Sequence, residues 1–358
     1  MNRLASYIVV AVLRGTALVA VVLVAVTSVV EFVGQLYDVG LGNYGLPQAA
    51  LYVALRIPYR IFDILPAATL IGALLGLGNL AVHRELVVIR ASGVSPHWLL
   101  GAVGAAGIIL LVIMWLLGES LAPSLGDYAR RTRADALLEE VDAASAQSTW
   151  LKNDDRIFNL HSLRDGEARR QGLRIFELNG QSEVARIAEA ELVGPTTDNP
   201  EVWELLDYAE TEFGESGTRA RRQARVLQDF SLTREMLELS ELSVDSLELA
   251  ELGDRIAYLR SRGLDASRLI GAYWTRIANG VSVVLMAMLA LPFVLGSLRS
   301  AGAGARMIVG LVIGLGYYVL GEVSANSGEV FSLDPVVVAW APSGLLLIIT
   351  ALAVLRLR

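Results

Sequence analysis

Carboxylates and guanidinium groups carry most of the chemistry available to this chain, because the usual reactive side chains are missing or scattered. There is no cysteine, so no thiol nucleophile, disulfide or thiolate-bound metal can form. The three histidines, His83, His97 and His161, stand in no HExxH or comparable ligand spacing. No Gly-x-x-x-x-Gly-Lys-Ser/Thr phosphate loop occurs, so neither ATP hydrolysis nor a cofactor or metal site is expected in this chain. What remains is a set of arginines beside apolar stretches: Arg56 and Arg60, then Arg130 and Arg133. Guanidinium groups bind phosphate through paired hydrogen bonds. They serve equally as interfacial anchors or as partners of Asp63 and Asp127, and both readings stay open at this point.

These residues are carried by two apolar blocks around a polar middle. Of 358 residues 54% are hydrophobic and 19% charged, with mean hydropathy +0.51, a balance that points to a membrane protein. Residues 121–268 hold 19 Lys and Arg against 29 Asp and Glu, a net −10, while the remainder is +3. Such an acidic insert offers no basic face to nucleic acid.

A helix crosses the hydrocarbon with about 20 mainly apolar residues. Six stretches qualify: 15–33, 61–82, 98–117, 269–295, 305–323 and 336–355. The first is read as an uncleaved span, since no small-residue cleavage site follows it. Gly310 and Gly314 form a GxxxG pair that admits a close backbone neighbour. Pro66 and Pro292 are expected to kink or end their helices.

Orientation follows from retained positive charge. Arg3, Arg14, Arg84, Arg90, Arg299, Arg306, Arg356 and Arg358 share one side with Glu85, whereas Glu329 and Asp334 lie opposite. Both termini are therefore expected in the cytoplasm and the insert outside. The chain divides into 1–120 with three spans, 121–268, and 269–358 with three more. Within the insert, runs near 150–153, 156–160, 173–178, 183–188, 202–206 and 224–230 alternate in polarity and are bounded by turn signals such as Asn179-Gly180, Gly194-Pro195 and Asp198-Asn199-Pro200. An all-β sandwich or jelly roll is expected, flanked by amphipathic helices at 125–141 and 247–262.

Residues 83–96, between the second and third spans, read as a short helix ended by Gly93. Leu86, Ile89 and Arg90 fall near one face beside Glu85, forming an acidic-apolar knob toward the cytoplasm; an ordinary surface loop is the plainer alternative.

Several segments together resemble a known family. They are Leu70-Ile-Gly-Ala-Leu-Leu-Gly-Leu-Gly, Arg84-Glu-Leu-Val-Val, Ala91-Ser-Gly, Gly118-Glu-Ser-Leu-Ala-Pro, Gly296-Ser-Leu-Arg-Ser, Tyr317-Tyr-Val-Leu and Pro342-Ser. They resemble the LptF/LptG permeases of the lipopolysaccharide exporter, closer to the LptG branch than to the LptF branch. The resemblance implies six spans with an inserted periplasmic jelly roll in the bacterial inner membrane. It further implies an LptF partner, an LptB dimer that holds ATP and Mg, LptC, and LptA through a periplasmic bridge.

It also implies roles for named residues. Glu85, Leu86, Ile89 and Arg90 would engage the ATPase. Arg130 and Arg133 match family arginines facing lipid phosphate, with Arg56 and Arg60 on the same side. Glu31 and Asp38 stand where lysine can occur, and acids there would repel phosphate unless Arg56 and Arg60 take over the role, divalent cations bridge, or the lipid contacts lie mainly on the partner permease. Tyr59, Gly310 and Gly314 join Glu31 and Asp38 as lipid-contact or gate positions, the gates running along 19–33 and 311–318. Position alone, rather than the resemblance, sets Glu119 and Glu322 near span ends, where intramembrane functional carboxylates are one reading and a solvated or paired structural role is favoured. A membrane-bound enzyme and a non-transporting relay are the alternatives from other classes.

Overall fold

The computed structural model describes residues 2–138, 149–153, 156–165, 168–178, 184–195, 202–214, 217–229, 247–261, 266–296, 301–331 and 333–356. Arg299, Arg358, the Asn179-Gly180 turn and residues 139–141 of the first flanking helix lie outside them. Two compact units form: Met1–Val39, Tyr44–Ala134 and Val244–Arg358 make one, and Gly40–Asn43 with Asp135–Ser243 the other.

The helices are α1 (Asn2–Gln35), α2 (Leu46–Leu55), α3 (Ile57–Val82), α4 (Glu85–Ala91), α5 (Pro96–Leu116), α6 (Ala122–Leu138), α7 (Leu249–Ser261), α8 (Ser267–Leu295), α9 (Ala303–Phe331) and α10 (Pro335–Leu355). Six of them, α1, α3, α5, α8, α9 and α10, are long and apolar enough to cross a membrane. Most run past the expected apolar stretches, because backbone hydrogen bonding continues through polar end residues that hydropathy discounts. Starts are marked by side-chain caps. Ser95 accepts from the Trp98 N–H at 3.3 Å before Pro96, and Asp334 accepts from the Val336 N–H at 2.8 Å before Pro335. Pro66 and Pro292 lie inside α3 and α8 without ending them.

Close backbone approach welds α1 to α3. A Cβ at Gly72 would fall 2.3 Å from the Thr16 backbone, and one at Gly76 would fall 2.3 Å from the Ala11 carbonyl oxygen, so only glycine fits. Around this seam Ile8, Leu70, Leu74, Leu77, Leu99, Met286, Leu289 and Leu346 form one buried core. Helices α3 and α8 are the most enclosed, with 61% and 67% of their most apolar windows buried, against 22% for α1 and 11% for α9. A buried polar clasp joins the last three spans. The Tyr317 hydroxyl lies 2.9 Å from both Asn279 Oδ1 and Ser282 Oγ; the Ser282 and Ser343 hydroxyls are 2.8 Å apart, and Ser343 donates to the Ala278 carbonyl at 3.2 Å.

The second unit holds a six-stranded antiparallel sheet in sequence order: β1 (Thr149–Asn153), β2 (Arg156–Asp165), β3 (Ala168–Leu178), β4 (Val184–Pro195), β5 (Val202–Gly214) and β6 (Gly217–Asp229). The inserted all-β character is as expected, and among the described strands the order is a simple meander. Phe158, Ile175 and Ala188 stand in register across β2, β3 and β4 and are buried. A bulge where β4 meets β5, with Asp207 at φ 50°, shifts the strand's phase. Leu205 and Tyr208, three apart, therefore both point into the core. Gly194-Pro195, expected as a loop, closes β4 instead, opposite Glu204 and Trp203; proline is tolerated at a strand end because no further ladder bond is needed there.

Candidate functional site

Two groups of polar residues occupy opposite ends of α1. At its far end Glu31 comes within reach of the first residues around α3. Arg56 Nη1 donates to Glu31 Oε1 and Arg60 Nε to Oε2, each at 3.0 Å, and the Glu31 side chain is only 6% exposed. One carboxylate thus aligns two guanidinium groups through charge-assisted bonds. Glu31 is therefore not a free acid at this end of α1: its charge is offset by the two guanidinium groups, and it fixes the positions of Arg56 and Arg60. Arg133 Nη2 donates to Asp38 Oδ2 at 2.5 Å, and Arg130 pairs with Asp127 one turn away, also at 2.5 Å. All four candidate arginines therefore have carboxylate partners, yet each guanidinium has five N–H groups and these pairings leave some unused.

Aromatic rings fix the cluster. Tyr52 in α2 lies between Arg56 and Arg133, whose guanidinium carbons are 5.7 and 5.6 Å from its ring centre, and Tyr59 sits 5.4 Å from Arg56. Arg56 also donates to the Tyr52 hydroxyl at 3.1 Å. Tyr44 is buried and donates to Gln35 at 2.9 Å; burial raises its phenol above the ordinary value, with the Arg133 guanidinium opposing. Helix α2, Tyr44 and Tyr52 join the cluster although neither hydropathy nor charge placement singles them out. The Tyr-x3-Arg-x2-Tyr spacing of Tyr52, Arg56 and Tyr59 was the available signal.

At the other end stands α4. Arg84 turns the chain sharply out of α3 in a left-handed conformation, φ 62°, and Gly93 at φ 89° follows the helix. Leu86 and Ile89 are buried in the main core at 2% and 9% exposure, which corrects their placement on an outward face. What α4 shows outside is Val87, Val88 and Arg90. Glu85 opens the helix and accepts from the Tyr7 hydroxyl at 2.6 Å, tying α4 to α1.

Gly310 and Gly314 are likewise buried within the chain. Their Cα atoms face Ile71, Leu74 and Ala67 of α3, so the GxxxG pair packs intramolecularly and is not on an open gate surface. The uncovered side of α9 is Leu311, Val312, Leu315 and Tyr318, and that of α1 includes Leu18, Val22, Val26 and Val29. Arg306, counted among the loop cations, is instead buried at 2% exposure beneath α3, where a Cβ at Gly78 would strike its guanidinium.

Residues 6–356 match the family described as lipopolysaccharide export system permease LptF/LptG. The chain belongs to this family. It is 30% identical over 347 residues to the lipopolysaccharide export system permease protein LptG of Haemophilus influenzae, covering 97% of this chain and 96% of that protein. The protein of the same name from Escherichia coli K12 is 30% identical over 342 residues, covering 93% and 92%. The family consists of transporter permease subunits rather than catalysts, and with six span-capable helices the chain is a multi-pass inner-membrane protein.

Proposed function

We propose that this chain is an LptG-type permease subunit that works beside an LptF partner and draws its energy from an LptB dimer binding ATP and Mg. In this reading both termini and α4 face the cytoplasm, the β unit lies in the periplasm, and LptC and LptA carry lipid onward. The construction of α4 supports the reading most directly. Two of its side chains are rooted in the membrane core while Val87, Val88 and Arg90 stand free, so a push on the outer surface is delivered to α1, α3 and α5. Interiors are close-packed and transmit displacement with little loss.

Lipid would enter along the uncovered sides of α1 and α9 against the second permease. Its phosphates would meet the spare N–H groups of Arg56, Arg60, Arg130 and Arg133. Co-expression with LptB and LptF followed by affinity capture of this chain tests the proposal. Recovery of both subunits together with lipopolysaccharide is expected; stable ATPase capture without any lipid would make the chain a relay and overturn the transport reading.

A further inference from the structure

A groove of about 630 Å³ opens between α1 and α3 at the end carrying Glu85. That is the size range of small-ligand sites. Arg3, Tyr7, Arg14 and Leu18 line it from α1, and Leu75 and Asn79 from α3. Arg3 and Arg14 are eleven residues apart, three helical turns, so they share one face, with Leu18 a further turn along. Both arginines are exposed, and neither pairs with a carboxylate among the described residues, unlike the four arginines at the opposite end of α1.

The depth of Arg14 makes it informative. Its neighbour Gly15 packs on Gly72, and Ala11 packs on Gly76, both well inside α3, which ends at Val82. A cation on an uncovered surface at that depth is unfavourable in hydrocarbon unless it reaches the interface or meets an anion. Along α1 the order is a cation at the helix end, a second cation deeper in, then the apolar side chains of Leu18 and Leu75. A phospholipid presents its parts in the same order: head group, phosphate, acyl chain.

We infer that this groove holds an anionic phospholipid of the cytoplasmic leaflet, its phosphate taken by Arg14, its polar head group lying toward Arg3 and one acyl chain lying along Leu18 and Leu75. Asn79 supplies an amide donor beside the phosphate. The phosphate end of the site lies at the opposite end of α1 from Glu31, away from the four arginines proposed for the exported lipid's phosphates, and the groove meets the uncovered side of α1 at Leu18. Its Tyr7 wall is bonded to Glu85, so occupancy is felt at α4. The leaflet assignment rests on the cytoplasmic placement of the termini proposed above.

The test reconstitutes the assembled transporter in vesicles of phosphatidylethanolamine and phosphatidylglycerol in equal amounts, extracts it in mild detergent and counts retained lipids by native mass spectrometry. Retention of phosphatidylglycerol in preference to phosphatidylethanolamine is expected. Arg14→Gln should lower it by about tenfold, the effect of removing a charged hydrogen-bond donor, and Arg14→Lys should restore most of it. Arg3→Gln, near the chain end, gives an independent reading if Arg14→Gln lowers the folded yield. Arg356→Gln, an exposed arginine elsewhere, should change nothing.

Equal retention of the two lipids, or equal loss with Arg356→Gln, overturns the site. Displacement by soluble glycerol-1-phosphate would show a free-phosphate site and overturn the lipid reading. Orientation is read separately by maleimide labelling of His97→Cys in a chain with no other cysteine. Labelling from outside overturns the leaflet assignment while leaving lipid selectivity as its own result.

Discussion

Glu119, in the π-helical turn Leu117–Leu121 that follows α5, accepts a hydrogen bond from the Leu249 backbone N–H at 2.6 Å. Arg276 of α8 completes the joint, 3.7 Å from Glu119 Oε1 and donating to the Leu247 carbonyl at 2.5 Å. A residue leaving the third span therefore holds the start of α7 and the fourth span together. Both side chains are nearly covered, at 14% and 13% exposure.

Removing one partner of a covered pair leaves the other uncompensated, whereas a neutral isostere keeps part of the bonding. Glu119→Ala is expected to lower stability by about 2–3 kcal/mol, read as a drop in Tm of the detergent-purified protein. Glu119→Gln, which keeps an acceptor for Leu249, should lose about half as much. Equal Tm for all three proteins would remove the joint from the stability account.

The clasp in the last three spans yields a second expectation. A directed chain of donors satisfies it: Tyr317 to Ser282, Ser282 to Ser343, Ser343 to the Ala278 carbonyl. Hydrogen bonds between membrane helices contribute about 0.5–2 kcal/mol, so Tyr317→Phe should destabilise by that amount. Ser343→Ala added to it should cost less than the sum of the two single changes, because both act on one chain of bonds. Strict additivity in thermal melts would show that the three hydroxyls act separately.

Much of this architecture is legible in the sequence because its causes are local. Apolar runs of span length produced the six span-capable helices, and polarity alternation located the six strands among the described residues, since both patterns depend on neighbours a few residues apart. Gly93 likewise marked the end of α4 by itself. The pairing of Glu31 with Arg56 and Arg60 joins residues 25 and 29 positions apart, and nothing in the local pattern selects that partner over solvent or phosphate. Leu86 and Ile89 were assigned to the correct helix but the wrong face, because seven residues give too short a period to tell a buried stripe from an exposed one. Helix α2 escapes sequence reasoning for a related reason: ten mainly apolar residues between two spans, with Pro47 and Gln48 in the first turn, read as a loop until Tyr52 is seen between the arginines.

Glu31 permits a prediction opposite in sign to its surface appearance. Replacing an acid with a cation beside a proposed phosphate site would ordinarily be expected to strengthen anion binding. Here Glu31→Lys would place an ammonium between Arg56 and Arg60 in a covered position, where like charges repel strongly. The variant is expected to show lower folded yield and less co-purified lipopolysaccharide than the parent. Glu31→Gln, which removes only the charge, should fall between them. More bound lipid in Glu31→Lys at unchanged Tm would mean that the carboxylate does not organise the arginines.

Helix α4 separates stability from coupling, because its buried and exposed side chains are adjacent in sequence. Leu86 sits in the core at 2% exposure, and shortening it to alanine is expected to destabilise the protein by about 2–5 kcal/mol through the cavity left behind. Val88 is 66% exposed, so Val88→Ala should change stability by less than about 0.5 kcal/mol. In the proposed assembly the order reverses for partner capture. Val88→Ala and Glu85→Lys weaken retention of the ATPase at unchanged or nearly unchanged Tm, while Leu86→Ala loses Tm first. Affinity capture of the ATPase beside thermal melts of each variant reads both quantities. Full ATPase capture with both Val88→Ala and Glu85→Lys would show that the motor engages this chain elsewhere.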